Sequence, residues 1–359
     1  MARILQLKAD NFRLYEQLEL SPNQRYNLIC GENAAGKTSL LELIYCLGRA
    51  KSFHGSNSSE LAGVLGRYWR VSAKLSGSQL QPASRTTVTW AAQGTSIKSQ
   101  HGEEVKAVEL IRAHPVQVID PGMHKLLQDG PSYRRNFLDW GVFHVEQQFL
   151  PVWRKHQRAL KQRNRALRQN SSSREISAWD IELAESGEAL QKLREQHLSA
   201  LKPLIDRHLR AGLDAGDWSM ELNPGWSSEH TYLQTLQKSL ARDKRVGMTV
   251  EGAHRAELKI KLNQQAIKNH ISRGQQKIMV AALVLSQSEL IHQQTQNTPI
   301  VLVDDFTAEL APQYQKNFAD MLKAYPGQVF ITAFLPSAVL EDLPDLFMFH
   351  VEHGRVRQC

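Results

Sequence analysis

Residues Gly31-Glu-Asn-Ala-Ala-Gly36-Lys37-Thr38 fit the spacing G-x-x-x-x-G-K-[ST]. That order of residue types suits a chain of phosphates. The glycines let the backbone turn so that several N–H groups point inward at phosphate oxygens. Lys37 reaches toward the β- and γ-phosphates, and the Thr38 hydroxyl serves a Mg²⁺ ion. A helix that starts at the loop aims the positive end of its dipole at the same charge. The flanks agree, since the apolar run Tyr26–Cys30 leads into Gly31, and Ser39–Leu47 has apolar residues at 40, 41, 43, 44 and 47. The expected ligand is ATP with Mg²⁺, held by Gly31, Glu32, Asn33, Ala34, Ala35, Gly36, Lys37 and Thr38.

A carboxylate at a strand end is the natural complement. Ile300-Val-Leu-Val-Asp304-Asp305 supplies a fully apolar run and then two aspartates. Buried parallel strands read as such runs, and their C-terminal ends face the ligand crevice. Asp304 is then the Mg²⁺-side carboxylate, and Asp305 orients or deprotonates the attacking water. Between the two motifs, Ser272, Arg273, Gly274 and Gln275 open a helix from Arg273 to about His292. Taken alone, the Asp pair also fits a solvated strand end, and the Ser/Gly/Gln cluster also fits an ordinary helix cap.

These residues must be positioned by a sizeable fold. With 359 residues, 42% of them hydrophobic and 22% charged, the chain can bury one large or two smaller cores. Residues 3–9 and 16–20 read as strands about a polar turn at Asn11–Arg13, and Thr86–Trp90 and Val116–Ile119 are β-rich. From Tyr133 to about Leu209 the chain is polar and helix-compatible, broken at 170–173, which predicts an antiparallel helical hairpin. Strand-like pieces return at Trp218–Leu222, Ala256–Leu262 and Gln328–Ala333. No apolar stretch approaches the ~20 residues that span a bilayer. The start of the chain alternates apolar and polar residues, and Cys30, Cys46 and Cys359 lack metal-ligand spacing. A cytoplasmic protein without a membrane partner is expected.

The order Asn11-Phe12-Arg13, Gly31–Thr38, Ser272–Gln276, Asp304-Asp305 resembles the SMC/Rad50-like branch of the ABC ATPases. Three further segments narrow the resemblance to the RecF DNA-repair family: Pro131 to Trp140 with its Arg134-Arg135, Leu160 to Leu167 with its Arg163-Asn164, and Gly252 to Leu258 with its His254-Arg255. The resemblance implies an α/β P-loop fold of ABC type. A discontinuous ATPase head would span 1–130 and 206–359, with a helical arm inserted at 131–205. It also implies that Ser272–Gln275 meet the γ-phosphate held by a second copy, so that ATP closes a homodimer. Double-stranded or gapped DNA, RecO- and RecR-like mediators and a weak, DNA-dependent ATPase switch would follow. Two departures concern turnover. Ala311 stands where the family has Asp, and His54 where it favours Arg.

The net charge of +8 suggests an anionic partner. Arg154, Lys155, Arg158, Lys161, Arg163, Arg165 and Arg168 follow one another with no acid among them. Positions 154, 158, 161, 165 and 168 share a helix face. Such a face repels itself unless an anion compensates, and a DNA backbone would do so without reading sequence. Arg134 and Arg135 are weaker candidates, because they could instead tie the arm to the head. Two other classes remain in view: a transporter's nucleotide-binding subunit, disfavoured by the polar basic insertion, and an ATP-regulated scaffold for an acidic protein.

Overall fold

The computed structural model describes residues 3–76, 84–213, 216–267 and 271–359. Its strands are β1 (Ile4–Phe12), β2 (Tyr15–Leu20), β3 (Tyr26–Cys30), β4 (Tyr68–Leu75), β5 (Ser84–Ala91), β6 (Gly94–Lys98), β7 (Val116–Ile119), β8 (Trp218–Asn223), β9 (Glu257–Leu262), β10 (Gln265–Ala266), β11 (Ile300–Val303), β12 (Val329–Ala333), β13 (Leu346–Glu352) and β14 (Arg355–Gln358). The helices are α1 (Lys37–Arg49), α2 (Ala107–Ala113), α3 (Lys125–Gln128), α4 (Pro131–Val145), α5 (Phe149–Arg168), α6 (Ser173–Ser177), α7 (Asp180–Gly212), α8 (Tyr232–Val246), α9 (Arg273–Thr295), α10 (Pro312–Ala324) and α11 (Ala338–Glu341). Among the described residues no helix is long and apolar enough to cross a membrane.

The chain forms two compact units. The first comprises Met1–Met123, Arg207–Asp214 and Ser272–Cys359. Its central sheet has the order β14-β13-β3-β12-β11-β7 and is parallel except for the terminal hairpin β13–β14. Strands β3, β11 and β12 are buried along their whole length and read as mainly apolar, unbroken in β11 and interrupted only by Asn27 in β3 and Thr332 in β12. Helix α9 is buried on nearly every side and packs on this sheet, so it shows almost no amphipathic pattern. An antiparallel sheet, β2-β1-β4-β5-β6, carries the alternating pattern of one buried face: Leu7, Ala9, Val71, Ala73 and Val88 join the core beneath α1.

The second unit comprises His124–Asp206 and Ala215–Ile271. Residues 215–271, expected in the head, fall here instead, and the unit is wider than the expected insertion at 131–205. The physical reason is that the helical pair needs cover. Helices α5 and α7 run antiparallel, with Lys155 against Glu185, Arg158 against Glu182 and Arg163 against Asp180. Their apolar faces (Ala159, Leu160, Leu183 and Ala184) are sealed by Tyr232 and Leu236 of α8. The sheet β10-β9-β8 completes the unit.

Arg163 is the polar centre of that packing. Its side chain is fully buried and donates to Asp180, Asp243 and Thr249 at 2.7–2.8 Å. Neighbouring Asn164 accepts from the backbone and hydroxyl of Thr249. The Arg-Asn pair therefore joins three helices and a loop. A second buried arginine, Arg194, grips Asp139 with two nitrogens and the Ala253 carbonyl with a third. Removing one partner from such a cluster leaves uncompensated charge in the interior. Arg163→Met should therefore cost about 3–5 kcal/mol, read as a lowered urea midpoint.

Three histidines of this unit, His156, His197 and His254, are held far below their ordinary range, at about 3, 4 and 4. Burial is the main cause in each, reinforced for His156 by His254 and Arg194 nearby. The unfolded chain takes up protons that the folded chain refuses. Their stabilisation is thus fully present above the free value of about 6.5 and is lost as pH falls toward 4. Urea stability should decline across that window by up to ~1.4 kcal/mol per pH unit for each such histidine, and a flat profile would contradict it.

Candidate nucleotide site

The parallel register builds the site. Cys30 lies opposite Ala333, and Val303 lies between Ile119 and Ile331, so β3, β7, β11 and β12 end together. The loop Gly31–Gly36 and the pair Asp304-Asp305 leave the sheet from those ends. Gly31 (φ 153°) and Gly36 (φ 119°) occupy backbone conformations that a side chain would strain, and a Cβ on Gly31 would collide with the Val351 carbonyl. Ala34 accepts a left-handed φ of 64° within the loop. The loop is braced from outside, with the Tyr15 hydroxyl donating to the Gly36 carbonyl and the Gly354 N–H to the Ala35 carbonyl.

Thr38 and Asp304, expected to share a metal ion, are in contact across 266 residues of chain. The Thr38 hydroxyl lies 3.0 and 3.1 Å from the two Asp304 oxygens. The Thr332 hydroxyl donates to the same carboxylate at 2.7 Å and accepts the Asp305 N–H at 2.8 Å. Lys37 bends over the loop and donates to the Gly31 and Glu32 carbonyls at 2.7 and 2.8 Å. The arrangement gathers a flexible cation, a loop bent at Gly31, Ala34 and Gly36, and hard oxygen donors in one place, a set able to take a triphosphate with a small divalent ion.

Ser272 is the N-cap of α9. Its hydroxyl accepts the Gln275 N–H, and the Gln275 side chain accepts the Ser272 N–H. The ordinary helix cap is therefore present in the geometry, and it fixes how Ser272–Gln275 is displayed. Arg273 is exposed and pairs with Glu309 at 2.8 Å. Ala311 caps α10 without a side-chain acceptor, the place where an Asp would supply one.

Three contributors carry no clear sequence signal. Thr332 is hidden in an apolar strand. Glu42 lies buried in α1 and receives Arg13, which also donates to Ser56, so the Arg of the Asn-Phe-Arg segment fastens α1 to the loop after it. Lys277 stands in an apolar helix and donates to the carbonyls of Asp305 (2.5 Å), Phe306 (3.2 Å) and Ala308 (3.1 Å). Burial pulls its ammonium down to about 8 against the opposing pull of Asp305 and Glu309. A lone lysine inside an apolar helix is the one signal that could have found it.

The basic candidates divide. Arg134 is used within its own unit by Glu257 and by the Leu126 and Asp129 carbonyls, and Arg135 by the Ala256 carbonyl. Arg163, part of the basic run but off the face expected to be cationic, lies in the interior. Lys155 and Arg158 are exposed but paired with glutamates of α7. Among the described residues, Arg154, Lys161, Arg165 and Arg168 remain exposed on α5.

The comparisons with known proteins agree with this geometry. Residues 3–109 match the model of an AAA ATPase domain. The chain is 36% identical over 356 residues to the DNA replication and repair protein RecF of Shewanella sp. (strain MR-7), with 98% of both chains covered. It is 37% identical over 348 residues to RecF of Pseudomonas aeruginosa (strain LESB58), covering 94% of this chain and 93% of that one. A solved structure of the recombination mediator protein RecF-ATP in the RecFOR pathway superposes with a TM-score of 0.85 at 26% identity, covering 100% of this chain and 98% of that one. An Smc head domain from Pyrococcus furiosus shares the fold at a TM-score of 0.61 and 14% identity. With an ABC-type P-loop fold and this identity across nearly its whole length, the chain belongs to the RecF family of DNA replication and repair proteins.

Proposed function

We propose that the chain is an ATP-controlled DNA clamp of the RecF type, in which ATP closes two copies around double-stranded or gapped DNA. The observation that carries this reading is the meeting of Thr38 and Asp304 at the joint C-terminal ends of the parallel strands, beside the loop that Lys37 closes. Lys37 turns from the loop carbonyls to the β- and γ-phosphates, and several N–H groups of the loop hold their oxygens. The Thr38 and Asp304 oxygens suit Mg²⁺, which when bound neutralises charge on the phosphates. Asp305 orients or deprotonates the water that attacks in line.

The capped segment Ser272–Gln275 supplies the other half of the site to a second copy, so that closure and nucleotide binding are one event. Hydrolysis is slow and serves to reopen the dimer. Ala311 and His54, in place of the family's Asp and Arg, bear on that step and leave binding intact. The solved relative is a recombination mediator of the RecFOR pathway, and RecO- and RecR-like partners are the corresponding expectation here. The exposed cations of α5 contact DNA phosphates without reading bases.

Sedimentation with ATP, with ADP and without nucleotide tests the switch. A dimer should form with ATP alone, and Lys37→Ala or Ser272→Arg should stay monomeric; a dimer indifferent to nucleotide would overturn the shared site. The DNA contact is tested by salt titration on gapped duplex. Alanine at Arg154, Lys161 and Arg165 together should make the slope of log affinity against log salt shallower by about 3.

A further inference from the structure

Helix α9 does more than display Ser272–Gln275. Its first turns are fastened to the segment that follows the Asp pair. Arg273 pairs with Glu309 at 2.8 Å. Gly274 lies so close to the Glu309 carbonyl that a Cβ would approach it to 3.1 Å. Lys277, one turn further on, donates to three main-chain carbonyls, those of Asp305, Phe306 and Ala308. Those bonds match the three N–H donors of an ammonium group.

The fastened segment is one that would not hold its shape alone. Asp305 and Glu309 both have left-handed backbone (φ 52° and 64°), a conformation that costs a non-glycine residue about 1 kcal/mol or more and persists only where the surroundings over-determine it. On one side Thr332 holds it, through its hydroxyl to the Asp305 N–H and its carbonyl to the Phe306 N–H. Phe306 is buried and stacks on Phe318. On the other side stands Lys277. The Asp305 backbone is thus bracketed between β12, which also orders Asp304, and α9, whose tip is the segment read above as the contact to the second copy.

We propose that Lys277 is a positioning residue, tying α9 to the backbone of Asp305 so that engagement of Ser272–Gln275 sets the Asp305 carboxylate. The inference rests on the clamp reading above and adds to it the link within one chain between the dimer contact and the hydrolytic residue. A rigid helix carries a shift at residues 272–275 to Lys277, and the three carbonyl bonds pass it to residues 305–308. Lys277 commits its three donors to main-chain carbonyls and acts through Asp305.

The test compares wild type, Lys277→Met, Asp305→Asn and the double variant, measuring affinity for a fluorescent ATP analogue, KM and kcat. Lys277→Met should keep the affinity and KM for nucleotide and lose roughly ten- to a hundredfold in kcat, the scale set by misplacing a reacting group. In the Asp305→Asn background the same substitution should lose nothing more, because both changes remove one function. Full kcat in Lys277→Met, or independent multiplying losses in the double variant, overturns the inference. Loss of nucleotide affinity together with kcat also overturns it, by making the role structural. Should Lys277→Met not fold, Lys277→Gln is read by the same criteria. A wild type that binds ATP without turning it over overturns this inference and the reopening step while leaving ATP-driven closure standing; one that binds no ATP overturns the whole clamp reading with it.

Discussion

The carboxylate of Asp304 accepts hydrogen bonds from Thr38 and from Thr332 and so holds three elements of the first unit to one point. Through Thr38 it fixes the first turn of α1 and the glycine loop before it. Through Thr332 it fixes the end of β12, and that threonine in turn holds the backbone of Asp305. A buried carboxylate is costly unless its oxygens are satisfied. Here two hydroxyls satisfy it, and hydroxyls are partners that a small divalent ion can supplement or replace. The parallel register, the loop and the paired aspartates all depend on this meeting point.

The same logic of satisfied interior charge organises the second unit. Arg163 and Arg194 each carry a guanidinium into the core, and each is matched by carboxylates and carbonyl groups from separate elements. Their forked geometry suits such multi-partner sites better than an ammonium would. The consequence for surface chemistry is direct. A helix rich in positive side chains presents fewer free cations than its sequence suggests, because one is buried and two are paired across to α7.

The features legible in the sequence were those with strong local pattern. The glycine loop, the strand Ile300–Val303 and the helix after Ser272 all appear where residue type and spacing placed them. What stayed hidden depends on partners far along the chain. The spacing from Arg154 to Arg168 leaves Arg163 off the face shared by 154, 158, 161, 165 and 168, but it does not say what Arg163 meets inside, since its partners Asp180 and Asp243 lie 17 and 80 residues away. The break at 146–148 between α4 and α5 carries no proline or glycine. Strands β8 and β9 look like head strands by period, yet they group with the helices of the second unit, where β9 meets α4, because apolar alternation specifies a sheet without saying which core it covers.

Strand β3, which carries the glycine loop, is flanked in its sheet by β12 and β13, and both belong to the last stretch of the chain. Even Ile4 exchanges its main-chain hydrogen bonds with the Gln328 side chain. During synthesis the loop-bearing strand therefore leaves the ribosome long before either neighbour exists. The second unit, with shorter loops to close, can assemble in the interval, while an apolar strand with two open edges waits. Such delayed pairing is slow and exposes edges to misassociation. For this chain, the hazard of birth is concentrated in the same strand that carries the glycine loop.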